Sequence, residues 1–158
     1  MKKFIPLIAV FLFLVVGCGT VPMNKGMYAK YLTRSYDYPK DKVFDATLAV
    51  FKDRGVGIEN QDKENGIIIT QKAKYAEEHF VIPNRVTGYS SEEVHIYWNK
   101  YYFQIIGTGN KAIIKSDKHQ IWSGQDGLQE LTKIRAEFVA ENYWNPLFND
   151  IQKKLEAM

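Results

Sequence analysis

The chain reads as an α+β protein, with an antiparallel β-sheet, one N-terminal helix, and a long, proline-interrupted C-terminal helix packed on one face. Three observations predict this. Apolar residues fall at helical spacing between Pro39 and Gly55. The period then drops to two through a run of β-rich segments separated by turn residues, and helical spacing returns over the last thirty residues. Helices segregated from a run of hairpins pack as a layer over one face of a twisted sheet.

The elements follow in order. YLTRSYDY is a short extended stretch. In PKDKVFDATLAVFKDRG, Pro39 suits a first helical turn, Asp41 meets the positive end of the helix, and Gly55 suits the left-handed position past its end. Val43, Ala46, Thr47 and Val50, with Phe44, Leu48 and Phe51, form a broad apolar stripe. VGIENQ and GIIITQK flank the turn-rich DKEN and predict a β-hairpin. EEHFVIP is a third strand, followed by the polar loop NRVTGYSS. EEVHIYWNKYYFQII is strand-like throughout, with a length that predicts a bend or turn near Asn99. GTGN opens no helix, so it is a hairpin loop into the strand KAIIKSDKHQIW rather than a phosphate cradle. Asp126 and Gln129 have capping-box spacing ahead of Leu128, Leu131, Ile134, Phe138 and Val139 on one helical face. Pro146 interrupts that helix, and Asn145 is placed to cap a second segment carrying Leu147, Phe148, Ile151 and Leu155.

Ahead of this domain stands MKKFIPLIAVFLFLVVGCGT. Lys2 and Lys3 precede a 13-residue apolar run, Phe4 to Val16, broken only by Pro6. As a helix that run is about 20 Å long, short of a ~30 Å hydrocarbon core, so residues 1–17 read as an export signal. Val15-Val16-Gly17-Cys18 resembles the lipobox of bacterial lipoproteins. In that family the signal is cut before the cysteine, the thiol is joined to diacylglycerol, and the new amino terminus is acylated. The resemblance therefore implies lipidation at Cys18 and a membrane anchor. It also accounts for a lone cysteine without a disulfide partner. Gly19 in place of aspartate favours the outer membrane, facing the periplasm, where the envelope has two membranes. Residues 18–29 read as the lipidated cysteine and a flexible tether, carrying Gly19, Pro22, Asn24 and Gly26 and no period. Residues 30–158 read as a single domain. Loss of Lys2 and Lys3 with the signal lowers the formal charge from +3 to +1, a balance without the basic excess of a nucleic-acid partner.

Candidates for chemistry are few. His79 and His95 would sit opposite each other if a hairpin turned about Thr87, and with a nearby glutamate they could hold zinc. Glutamates adjacent to a histidine on a strand point to the opposite face, so two solvated histidines is the plainer reading. Ser123 in WSGQDG lacks the nucleophile elbow, and QDKENG fails calcium-loop spacing. No catalytic residue, metal ligand or cofactor site is assigned. Lys111, Lys115 and Lys118 form either a solvated face or a contact for anionic headgroups. Phe138, Tyr143, Trp144 and Phe148 read as core, with Tyr143 and Trp144 at the proline break where an exposed patch could form.

YPKDKVFDATLAVFKDRGVGIENQDKENGIIIT is similar to a pattern in BamC (NlpB)-type envelope lipoproteins: a helix ending in glycine, a strand, a turn with Asp and Gly, then a β-rich segment. That resemblance implies a helix-grip architecture, with a long C-terminal helix held across a curved antiparallel sheet. BamC-type chains carry two such domains after a long arm, whereas this chain has room for one. The expectation is a membrane-anchored, non-enzymatic binding module with an envelope protein partner. The alternative is a carrier of lipid or small hydrophobic ligands in the groove between sheet and C-terminal helix.

Overall fold

The computed structural model describes residues 19–83, 90–124 and 129–158. The signal segment, Cys18 and Asp126 lie outside the described residues. The architecture is α+β, as the patterning predicts. One large antiparallel sheet carries the helices on one face, and a long helix closes the chain.

The sheet is built around two long strands, β6 (Ser90–Thr108) and β7 (Lys111–Gly124), joined by a tight turn whose Gly109 has φ +59°. β2 (Arg34–Tyr36) lies against the outer edge of β7, and β8 (Gln129–Glu130) caps the far end of β7. On the other edge of β6, the hairpin β3 (Ile58–Asp62) and β4 (Ile67–Thr70) attaches through β4, opposite Tyr102–Gln104. β5 (Ala73–Pro83) then takes over that same edge, opposite Ser90–Asn99. Where a bend or turn is expected near Asn99, no turn occurs, and β6 continues through that position. What changes there is its neighbour, since β4 gives way to β5.

Side chains alternate across this sheet, and Tyr101, Phe103 and Ile105 of β6 point inward with Ala112 and Ile114 of β7. The parity of β7 then switches. Phe103 pairs with Ser116 but Tyr102 pairs with Lys118, so position 117 is the extra residue of a β-bulge. Beyond it His119 and Ile121 face inward. The Ser116 hydroxyl closes the kink, 2.8 Å from the Tyr102 carbonyl and 2.6 Å from that of Lys118.

Three helical bodies cover the inner face. α1 (Lys25–Tyr31) packs on β7, and α2 (Lys40–Asp53) packs on β6 and on the C-terminal helix. α2 buries Val43, Phe44, Ala46, Thr47, Val50 and Phe51, the stripe its spacing predicts, and Gly55 beyond it has φ +68°. The C-terminal helix comprises α3 (Ala136–Val139), a π segment (Ala140–Trp144) and α4 (Asn145–Ala157).

Three expectations are corrected. First, residues 18–29 are not a flexible tether as far as they are described. β1 (Val21–Pro22) pairs with β9 (Lys133–Ile134), Asn24 caps α1 by accepting from the Met27 N–H at 3.1 Å, and Met27 and Tyr28 are buried. The domain therefore starts near Val21. Seven residues with two inward side chains are too short to display a helical period. Second, the last helix starts at Ala136, because the backbones of Gln129–Glu130 and Lys133–Ile134 are committed to sheet pairing. Third, Asn145 is helical rather than a cap. Its N–H reaches Ala140 in the π turn, which widens the helix just ahead of Pro146, and its Oδ1 accepts from Arg34 at 2.7 Å.

Gly66 tests the β3–β4 turn. It sits at φ +70°, its carbonyl accepts from the Ile105 N–H at 2.7 Å, and a Cβ there would lie 2.0 Å from the Ile105 carbonyl oxygen. Gly66→Ala should destabilise the protein by about 1–3 kcal/mol from backbone strain alone, read as a lowered urea midpoint. An unchanged midpoint would show that the turn relaxes freely.

Candidate functional site

Two regions concentrate polar or exposed apolar groups, and the first is the β5–β6 ribbon. Among the described residues β7 accompanies β6 only as far as Ile96, so there β5 from Glu78 and β6 up to His95 continue as a two-stranded arm. Near its end Val81 is 69% exposed and Ile82 46%, on opposite faces because neighbours on a strand alternate.

This ribbon also carries the two candidate histidines, and it keeps them apart. His79 pairs with Val94, and His95 with Glu78. The register is one residue from the expected one, and a one-residue slip moves a side chain to the other face. The His79 ring is held by carboxylates on both sides, Nδ1 2.6 Å from Glu92 and Nε2 3.1 Å from Glu77. The bond to Glu92 raises the His79 pKa above its ordinary value, and Glu77 adds to it. Glu77, which also pairs with Lys74, is shifted down. His95 Nε2 meets Glu93 at 2.6 Å. Among the described residues no group of three or more His, Cys, Asp or Glu is arranged to hold a metal.

The second region is the space between sheet and C-terminal helix. Beneath α4 it is filled by the helix's own side chains. Trp144, Leu147, Phe148, Ile151 and Leu155 are buried against Phe103, Ile105 and the α2 stripe. Tyr143 and Trp144 part company at the π segment. Trp144 is fully buried, while Tyr143 meets Tyr75 of β5 edge-on, with ring centroids 4.7 Å apart. Burial raises the Tyr75 hydroxyl pKa well above its usual value. Tyr75 and Tyr143 line two clefts. One, of about 270 Å³, reaches Asn99 and Tyr101 beside α2. The other, of about 280 Å³, reaches Leu131, Phe138 and Thr20 near the start of the domain.

Behind the first cleft is a buried polar cluster that the sequence pattern did not single out. His119 is 2% exposed, stacked on Tyr101 at 4.4 Å and edge-on to Trp144 at 5.5 Å. Neither ring nitrogen has a hydrogen-bond partner among the described residues, nor does Trp144 Nε1. Burial lowers the His119 pKa to about 3, so the ring is neutral at physiological pH. A depressed histidine binds its proton more readily in the unfolded chain, so stability falls as pH drops below about 6.5 toward 3. Between pH 7 and pH 4 the expected loss from this group is on the order of 3 kcal/mol. His119→Phe keeps a flat ring and removes the titration. Urea unfolding at both pH values should show a smaller acid loss in the variant, and equal losses would refute the assignment.

The three candidate lysines share the outer sheet face, because the bulge carries Lys118 back to the side of Lys111 and Lys115. Lys118 lies over the Tyr102 ring at 4.9 Å, and Lys111 is 3.8 Å from Asp37. Ser123 pairs with Tyr97 and Gln129 within the sheet. Of the groups that build the clefts, Phe138 and Tyr143 belong to the aromatic group the sequence singles out, and Phe51, Leu131 and Leu147 to its apolar stripes. Asn99, Tyr101 and His119 sit at inward positions of strands whose alternation could have been read, but the bulge hid the phase of His119.

No family model matches the chain. No curated protein matches it either. A solved structure described as a DUF4468 family protein from Bacteroides ovatus is similar at a TM-score of 0.47 and 9% identity, covering 78% of this chain and 84% of that one. A likeness at that level carries no functional argument.

Proposed function

We propose that this chain is an envelope lipoprotein anchored through Cys18, facing the periplasm from the outer membrane where the envelope has two membranes. Its domain works as a non-enzymatic binding module for another protein. The observation that supports binding is the β5–β6 ribbon, which presents Val81 and Ile82 to solvent beyond the body of the sheet. Two apolar side chains on opposite faces of a narrow arm suit insertion between surfaces of a partner. Among the described residues the outer edge of β5 also has no paired strand, which leaves backbone donors and acceptors for strand addition.

The carrier reading is less favoured by the geometry. The groove beneath α4 is filled, and neither flanking cleft reaches the ~300–1,000 Å³ typical of a drug-sized ligand, so a two-chain lipid has no room.

The experiment is site-specific photo-crosslinking in cells from position 81, with Lys153 on α4 as the control position. A discrete adduct from position 81 and none from 153 is expected. The double variant Val81→Lys with Ile82→Lys, which places an opposite charge across from Glu92, should abolish the adduct formed from a probe at position 79. Identical adducts in the double variant would sink the proposal.

A further inference from the structure

We infer that the cleft beside Tyr75 and Tyr143 is a binding site for a small, single-ring aromatic acid that carries a hydrogen-bond donor. The ligand site is separate from the ribbon and does not depend on the partner-binding reading.

The starting point is Asn99. It is 4% exposed, lines the cleft, and donates from Nδ2 to the Tyr101 hydroxyl at 3.1 Å, yet its Oδ1 has no hydrogen-bond partner among the described residues. A buried carbonyl left unmet is unfavourable, and native structures rarely keep one without a reason. A ligand O–H or N–H in the cleft supplies the missing donor.

The walls define the rest of the ligand. Phe51, Tyr75, Tyr101 and Tyr143 surround the space with aromatic rings, a lining that favours a flat apolar body in stacked or edge-on contact. At about 270 Å³ the cleft suits one ring rather than a chain or a fused system. Arg54 also lines it. The guanidinium lies near enough to Tyr101 to act on its hydroxyl electrostatically, and its bond to Asp150 at 2.6 Å uses one of five N–H donors. Those that remain suit a carboxylate at the rim, where a charge-assisted bond forms without full desolvation. Donor, ring and carboxylate therefore follow one another from the floor of the cleft outward.

The test uses the full chain in detergent and equilibrium dialysis with three probes. 4-Hydroxyphenylacetate has all three features, phenylacetate lacks the donor, and 4-cresol lacks the carboxylate. The first should bind saturably and about five- to tenfold more tightly than either of the others. A polar site rejects an analogue that leaves its buried group unpaired. Asn99→Leu should make 4-hydroxyphenylacetate and phenylacetate equal, and Arg54→Gln should make 4-hydroxyphenylacetate and 4-cresol equal. If Asn99→Leu fails to fold, the comparison of probes on the unaltered chain still decides. Absence of saturable binding, or equal affinities for 4-hydroxyphenylacetate and phenylacetate, overturns the assignment.

Discussion

Cys18→Ser should eliminate incorporation of radiolabelled palmitate and leave the signal segment attached, an all-or-none change visible in the intact mass. In lipoproteins that share the VVGC pattern, cleavage and acylation both act at the cysteine, and serine has no thiol to join to diacylglycerol. Each buried methylene is worth ~0.8 kcal/mol, so loss of two or more chains removes the whole basis for stable anchoring. The fold sharpens the consequence. Only Gly19 and Thr20 separate Cys18 from β1, a span of about 7 Å at full extension, so an anchored domain would rest against the bilayer. The β1–β9 pairing brings Lys133 to that end, and Arg135 follows it. A wild-type chain whose mass shows residues 1–17 still present and no lipid would end the proposal of an anchored module.

Trp144→Ala should destabilise the domain by about 3–5 kcal/mol, the range for truncating a large aromatic in a packed core. Trp144 is fully buried and touches two separately contributed parts of the fold: Tyr31 at the end of α1, with ring centroids 6.1 Å apart, and His119 of β7 in the sheet. No single neighbour can move to fill the void, because each belongs to a different element. Urea denaturation followed by Tyr fluorescence should show the lowered midpoint with a similar slope. Trp144→Phe should retain most of the stability, since Trp144 Nε1 has no hydrogen-bond partner among the described residues for the substitution to break. A loss below about 1 kcal/mol in the alanine variant would mean that the C-terminal helix is not what closes the core.

What could be read in advance follows a physical line. α2 was legible because its signals are local: a proline at its start, an acid in the first turn, six apolar residues and Thr47 on one stripe, and glycine at the left-handed position. The β3–β4 hairpin was legible for the same reason, with Asp62 accepting from the Asn65 backbone N–H at 3.0 Å and Gly66 at positive φ. α1 was not legible, since its two inward side chains acquire meaning only against β7, 91 residues away, where the Tyr28 hydroxyl donates to the His119 carbonyl at 3.1 Å. The start of the last helix is hidden because Leu131 and Ile134 keep helical spacing while their own backbone groups are taken by β7 and β1. Local propensity is weaker than a set of long-range ladder bonds.

The candidate site divides the same way. Sequence identified the histidines and the aromatic pair at the proline, but not which faces they occupy. A single residue of register separates His79 from His95, and one extra residue at position 117 turns His119 inward. By itself the sequence determined the class of fold, the amphipathic stripes of α2 and α4, and the tight turns, because these depend on neighbours within one helical turn or one hairpin. Only the tertiary structure decided the β5–β6 register, the docking of α1 and the buried cluster around Asn99 and His119. Those depend on which backbone groups meet across the sheet, and their energies belong to pairs far apart in the chain.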